Sequence, residues 1–318
     1  MGAVVAVAEF AVGTEGLHEV AWLLTGPEGI GKATFAYRAA RRLLGAAPYP
    51  SAGLLGADPA DRVCRQIIGR AHPDLLVLQR DGEDGKTRKG IPVDEVRALP
   101  EFFAKSPASA PYRVAIIDTA DDLNASAANA VLKTLEEPPE RGVLFLISHA
   151  PGGLLPTLRS RCRCLRFVTP PRSLALAWLQ DQAGLDPETS ELLLNMTGGA
   201  PGQAWRLAQT GAAETDAAVR SLLDNLPRTD DRAMLTWVEG FRGAAGAERF
   251  NLVFERLAAQ MHERASAAAL SGESAGHAMD RWVEVWESLV GLRRDVEAVN
   301  LDKADAFFTV LSRLRAVA

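Results

Sequence analysis

The stretch TGPEGIGKAT, residues 25–34, constrains the fold of this chain more than any other. Gly26 to Lys32 fits the spacing G-x-x-x-x-G-K, and it lies between an apolar run at residues 20–24 and a segment with Ala36, Ala39, Ala40 and Leu43 at helical spacing. Gly26, Gly29 and Gly31 let the backbone turn its N–H groups toward phosphate oxygens, while the helix N-terminus adds positive potential and Lys32 a point charge. The plainer alternative is a glycine-rich strand-to-helix turn with a solvated lysine. Strand, loop and helix together point to an α/β fold built on a parallel sheet.

In loops that work on nucleotides, the hydroxyl after the lysine and an acid at the end of a later strand hold a magnesium ion between them. Here the first of these is Ala33. Thr34 is the next hydroxyl, but one helical step rotates a side chain by about 100°, so it is not expected to replace the missing ligand in place. The acid is Asp118, at the end of RVAIID; a strand-end acid capping the following loop is its other reading. The next position, where many ATPases keep a glutamate that orients water, is Thr119. Two parts of a hydrolytic apparatus are therefore altered together, which implies that a bound nucleotide would not be turned over at a useful rate.

Apolar runs at 20–24, 74–79, 112–118, 142–148 and 164–168 read as strands, and the continuous VLFLI suits a strand buried on both faces. Val93, Val96, Leu99 and Phe103 recur at helical spacing. In LNASAANAVLKTLEEPP, Asn124 caps a helix that Pro138 and Pro139 stop. After residues 168–173 the strand signals end, and 174–318 reads as helices, with boundaries at Pro170–Pro171 and near 209–213. A chain of 318 residues suggests two or three domains.

A net charge of -5 argues against a chain that coats nucleic acid, so direct DNA contact is expected to be minor. No apolar run approaches the roughly 20 residues that cross a bilayer, and a cytoplasmic location is expected. Cys64, Cys162 and Cys164 are the only cysteines, and His72 is the one nearby partner for Cys64, so no metal site is expected.

GPEGIGKAT, IIDTADDLNASAANAVLKTLEEPP, LFLISHAPGGLLPTLRSRC and TGGAPGQAWRL occur in that order. Together they closely resemble the delta prime branch of the AAA+ clamp-loader family of bacterial DNA polymerase III. The likeness is dense from residue 20 to about 207 and is one of helical pattern beyond. It implies an AAA+ P-loop domain over 1–168, a small helical lid over 169–210 and an all-helical C-terminal collar domain over 211–318. Family assemblies use ATP in gamma/tau motor subunits to open a sliding clamp and place it on primed DNA, and this branch is their rigid, non-hydrolysing member. The partners implied are the motor subunits and the delta subunit, and indirectly the clamp and the DNA.

Ser160, Arg161 and Cys162 match the family's Ser-Arg-Cys motif, whose arginine resembles a finger reaching in trans into a neighbouring motor's ATP site. Read from the residues alone, 159–166 is equally a helix-end basic cluster or a solvated face. Ser148 falls where the family keeps a polar residue near the terminal phosphate, and a buried strand-end serine explains it as well. Gly202 and Gln203 stand where motor subunits carry a phosphate-sensing arginine.

Many relatives hold a four-cysteine zinc module before the second strand; this chain keeps only Cys64 there, and no zinc is expected. The implied nucleotide site is degenerate and consists of Gly26, Gly29, Gly31, Lys32, Thr34 and Asp118. It is expected to require no cofactor and to be compatible with ATP or ADP held without turnover, and an incomplete adenine pocket is expected from the few residues before the first strand. Two alternatives stand beside this: an active gamma/tau-like ATPase that recruits Thr34 to the metal, and an unrelated P-loop NTPase or kinase, for which no acceptor constellation is visible. Trp282, Val285 and Leu289 are expected in collar core or subunit interface.

Overall fold

A computed structural model describes residues 21–80, 88–137, 139–239, 241, 244–271 and 302–317. The stripe at Trp282, Val285 and Leu289 lies outside the described residues. The chain divides into two compact units between Arg206 and Leu207. Residues 169–206 of the expected lid fall in the first unit and 207–210 in the second.

Five parallel strands form the sheet of that unit: β1 (Ala21–Thr25), β2 (Leu75–Gln79), β3 (Arg113–Asp118), β4 (Gly142–Ser148) and β5 (Arg163–Arg166), in the order β2-β3-β4-β1-β5. The last strand begins one residue earlier than its apolar run suggests, at Arg163, whose guanidinium lies over the Trp22 ring. Helices cover both faces: α1 (Lys32–Leu43) and α2 (Arg62–Ile68) on one, α3 (Val93–Ala104) and α4 (Ala125–Glu136) on the other. Alternation within β3 assigns its side chains, with Val114 and Ile116 facing Phe35 and Ala39 while Ala115 and Ile117 face Val96, Leu99 and Val131. Every residue of β4 is buried, as a central parallel strand covered on both faces requires.

The Asn124 side chain accepts from Ala127 N at 2.9 Å and starts α4 where its cap was expected. Strand β4 separates β1 from β3, and the register pairs Thr25 with Ser148 and Asp118 with Ile147. The phosphate loop, the acid and the serine are therefore gathered at the carboxyl edge of the sheet, where open α/β sheets bind ligands. After the short α5 (Pro156–Arg159) and β5, helices α6 (Arg172–Ala183), α7 (Pro187–Met196) and α8 (Pro201–Gln209) follow.

The second unit, described by itself, contains α9 (Ala212–Asn225), α10 (Asp231–Glu239), α11 (Ala244–Ser271) and α12 (Lys303–Val317). Its core is aromatic: Trp237 stacks on Phe307 at 5.8 Å, and Phe241, Phe250 and Phe254 surround the same ring. Buried Asp216 is satisfied by Arg220 and by Gln260, which reaches it from α11. Among the described residues, no helix is long and apolar enough to cross a membrane.

Candidate nucleotide-binding site

From Thr25 the chain turns through Gly26, Gly29 and Gly31, each at positive φ, and enters α1 at Lys32. Two of these glycines are also fixed by close approach. A β-carbon on Gly26 would stand 2.3 Å from the Phe167 carbonyl oxygen, and one on Gly29 would stand 2.5 Å from the Gln203 nitrogen. The start of α8 thus presses directly on the loop. Gly202 N–H donates to the Gly29 carbonyl at 2.8 Å, and Arg206 forms an ion pair with Glu28. Loop and lid are joined by backbone and by charge.

Lys32 is only 3% exposed, and its Nζ donates to the carbonyls of Gly26 at 2.6 Å and Pro27 at 2.5 Å. Burial lowers its pKa to about 8, against the opposing fields of Glu28, Asp121 and Asp118. Burial likewise pushes the Asp118 carboxyl up from its ordinary range, with Lys32 opposing. Three residues on, Asp121 is fully engaged. Its carboxylate accepts from Ser148 Oγ at 2.7 Å, His149 N at 2.6 Å and Ala150 N at 3.4 Å. Ser148 is therefore a buried strand-end serine whose proton points at Asp121.

A cavity of about 250 Å³ is bordered by Lys32, Thr34, Asp118, His149, Trp205 and Arg206. Thr34 borders it, although one helical step should turn its side chain from the position of Ala33; the first turn of α1 presents both residues to the same space.

The donors here do not fit an octahedral magnesium ion. Ala33 offers no oxygen, Asp121 already accepts three hydrogen bonds and Glu28 is paired with Arg206, which leaves Asp118 as the one acid of the cavity not taken up by these contacts. Among the described residues, no three His, Cys, Asp or Glu side chains converge as metal ligands. Cys64 is buried, and burial raises its thiol pKa.

Arg161 does not border the cavity. It follows α5, where Ser160 Oγ and Arg161 Nη1 both donate to the Thr157 carbonyl, at 3.1 and 3.0 Å, and Arg161 Nη2 lies 3.2 Å from Glu136 Oε1. Neighbouring Cys162 packs on the sheet's core, and burial pushes its thiol up to about 12, leaving it inert at neutral pH. Both sequence readings of 159–166 meet here: the arginine satisfies a helix-end carbonyl, yet its side chain stays 38% exposed.

Several of these residues escape sequence reasoning. Asp121 and Asp122 are adjacent acids with nothing local to rank them, and Glu28 meets Arg206 across 178 positions. A partial signal exists for Arg206: four residues beyond Gly202, it shares that residue's helix face.

A family model described as "DNA polymerase III, delta subunit" matches residues 13–171. The chain is 38% identical over 209 residues to the DNA polymerase III subunit delta' of Pseudomonas aeruginosa, a match covering 65% of this chain and 61% of that protein. It is 31% identical over 218 residues to the DNA polymerase III subunit gamma/tau of Mycobacterium bovis, covering 66% of this chain and 36% of that one. The matched stretches thus span less than two thirds of either relative. A solved structure of a DNA polymerase III gamma subunit-related protein from Thermotoga maritima aligns over 98% of both chains with 17% identity and a TM-score of 0.47. Matched by the family model over half its length, the chain belongs to the DNA polymerase III delta subunit family, among the delta prime subunits.

Proposed function

We propose that this chain is a non-hydrolysing, stator-like subunit of the clamp loader, which grips nucleotide phosphates without turning them over and lends Arg161 to a neighbouring motor subunit. The observation that carries this reading is the cradle itself. Its three glycines make the positive-φ turn into α1 and Lys32 stands at the start of that helix, which supports a phosphate grip once Lys32 exchanges the Gly26 and Pro27 carbonyls for a ligand, while position 33 is alanine and Asp121 is engaged by Ser148 and two backbone amides. The contacts of Gly202 and Arg206 with the loop support a rigid role, since a lid that cycles open and shut over the loop would have to break and remake them. Its partners on this reading are gamma/tau motor subunits and the delta subunit, with the clamp and primed DNA met through the assembly; the location is cytoplasmic, and neither zinc nor another cofactor is needed.

The test is direct. Purified chain mixed with ATP and magnesium is expected to show no turnover above background in a phosphate-release assay. A rate near the roughly 10 s⁻¹ typical of enzymes would overturn the proposal in favour of an active gamma/tau-like ATPase.

A second expectation concerns Lys32. A bound phosphate favours its charged form, so the complex holds more protons than the free protein once pH exceeds about 8, and affinity must fall as pH rises through that value. Calorimetric titration with ADP, whose own charge is settled above about pH 8, should show this weakening. Lys32→Ala should bind more weakly and lose the pH step. A wild-type affinity flat between about pH 7.5 and 9.5 would remove Lys32 from phosphate binding.

A further inference from the structure

Helix α4 ends at Glu136, capped by Glu137, with Lys133 the basic residue of its last turn. The exposed carbonyls of a helix end make the local potential negative, so a carboxylate there is disfavoured. Glu136 must be compensated from elsewhere. Its Oε1 lies 3.2 Å from Nη2 of Arg161, whose Nη1 donates to the Thr157 carbonyl at 3.0 Å. Ser160 Oγ closes on the same carbonyl at 3.1 Å. The guanidinium is thereby bracketed between two electronegative helix ends, that of α5 through its backbone and that of α4 through Glu136.

A half-exposed pair of this kind adds little to stability. What it does is remove rotamers. A free arginine side chain samples many directions, whereas catalysis by a fixed charge needs that charge in place before the reacting group arrives. Two anchors on separate Nη atoms define the plane of the fork as well as its position.

We propose that Glu136 is a positioning residue for Arg161, holding its guanidinium preorganised for the phosphates of a neighbouring subunit's nucleotide. This rests on the trans role of Arg161 proposed above. The test reconstitutes the assembly with motor subunits whose own Ser-Arg-Cys arginine is replaced by alanine, so that the measured turnover reports Arg161 alone. Glu136→Ala is expected to lower kcat about tenfold with KM for ATP within about twofold, since misplacement of a catalytic group affects the transition state more than ground-state binding. Glu136→Asp should recover part of the rate. In the Arg161→Ala background, Glu136→Ala should have no further effect, and the melting temperature should stay within about 2 °C of the parent throughout.

Unchanged or faster turnover in Glu136→Ala, or a further loss in the Arg161→Ala background, overturns the positioning role. If Arg161→Ala itself leaves turnover unchanged, the trans reading and this proposal fall together; if Arg161→Ala is slow while Glu136→Ala is not, only the positioning role falls.

Discussion

Arg161→Ala is expected to slow ATP turnover at the motor site it serves by about 10³-fold, the lower end of what removing an arginine finger costs elsewhere. The side chain has the attributes such a role needs. It is 38% exposed, so it can meet another subunit, and its guanidinium is held through Nη1 by the Thr157 carbonyl and through Nη2 by Glu136. The folded state should hardly notice the change, because an exposed ion pair and one hydrogen bond to a helix end together contribute about 1 kcal/mol or less. Loss of rate without loss of melting temperature is therefore the signature. Arg161→Lys keeps a charge but gives up the planar fork that matches phosphate oxygens, and should recover only part of the rate. Single-turnover ATP hydrolysis in the reconstituted assembly, in which only this chain carries an intact finger, measures the effect. Equal rates for the wild-type and Arg161→Ala chains would assign the arginine to its helix-end carbonyl and nothing more.

Where chemistry and local pattern coincide, the sequence was readable. Residues 143–147 form a continuous apolar run, and a strand covered on both faces needs that; Asn124 precedes the apolar face of α4, and its side chain caps that helix. The phosphate loop was legible because its glycines are demanded by backbone geometry rather than by partners. Gly29 shows the limit of that reading: its positive φ follows from the loop type, but the Gln203 backbone pressed against it does not. Long-range pairings were out of reach for the same reason. Nothing near Glu28 announces Arg206, and nothing near Glu136 announces Arg161, since each pair is created by the packing of elements distant in the chain. Ser148 is ambiguous in the sequence because Asp121, the acceptor of its hydroxyl hydrogen bond, lies 27 positions away.

Asp74 illustrates the largest effect that such distant packing conceals. Read as the first residue of a strand, it is instead a fully buried carboxylate ahead of β2, 0% exposed, that gathers the loop before β3. It accepts from the backbone nitrogens of Ala108 at 2.7 Å, Ser109 at 2.8 Å and Ala110 at 3.1 Å, and Arg113 lies 3.5 Å away, itself held by the carbonyls of Phe102 and Ser106. Burial alone would raise the Asp74 pKa, but the three N–H donors and Arg113 outweigh it and hold the carboxyl below its ordinary value. Asp74→Ala leaves three amides without their acceptor and a buried guanidinium without its counter-charge, so it is expected to cost about 3–5 kcal/mol, the range for breaking a buried pair from one side. For a unit of this size that lowers the melting temperature by about 10 °C, measurable by circular dichroism on the full chain. The sign of the pH dependence follows from the depressed pKa. The stabilisation is fully present above the unfolded carboxyl's value near 3.8 and disappears as pH falls through the lower folded value, so the gap between wild type and Asp74→Ala should narrow only in strong acid. A melting temperature within about 2 °C of wild type at neutral pH would mean that the loop keeps its place without Asp74, and that Phe102, on whose ring Arg113 also rests at 4.7 Å, holds it instead.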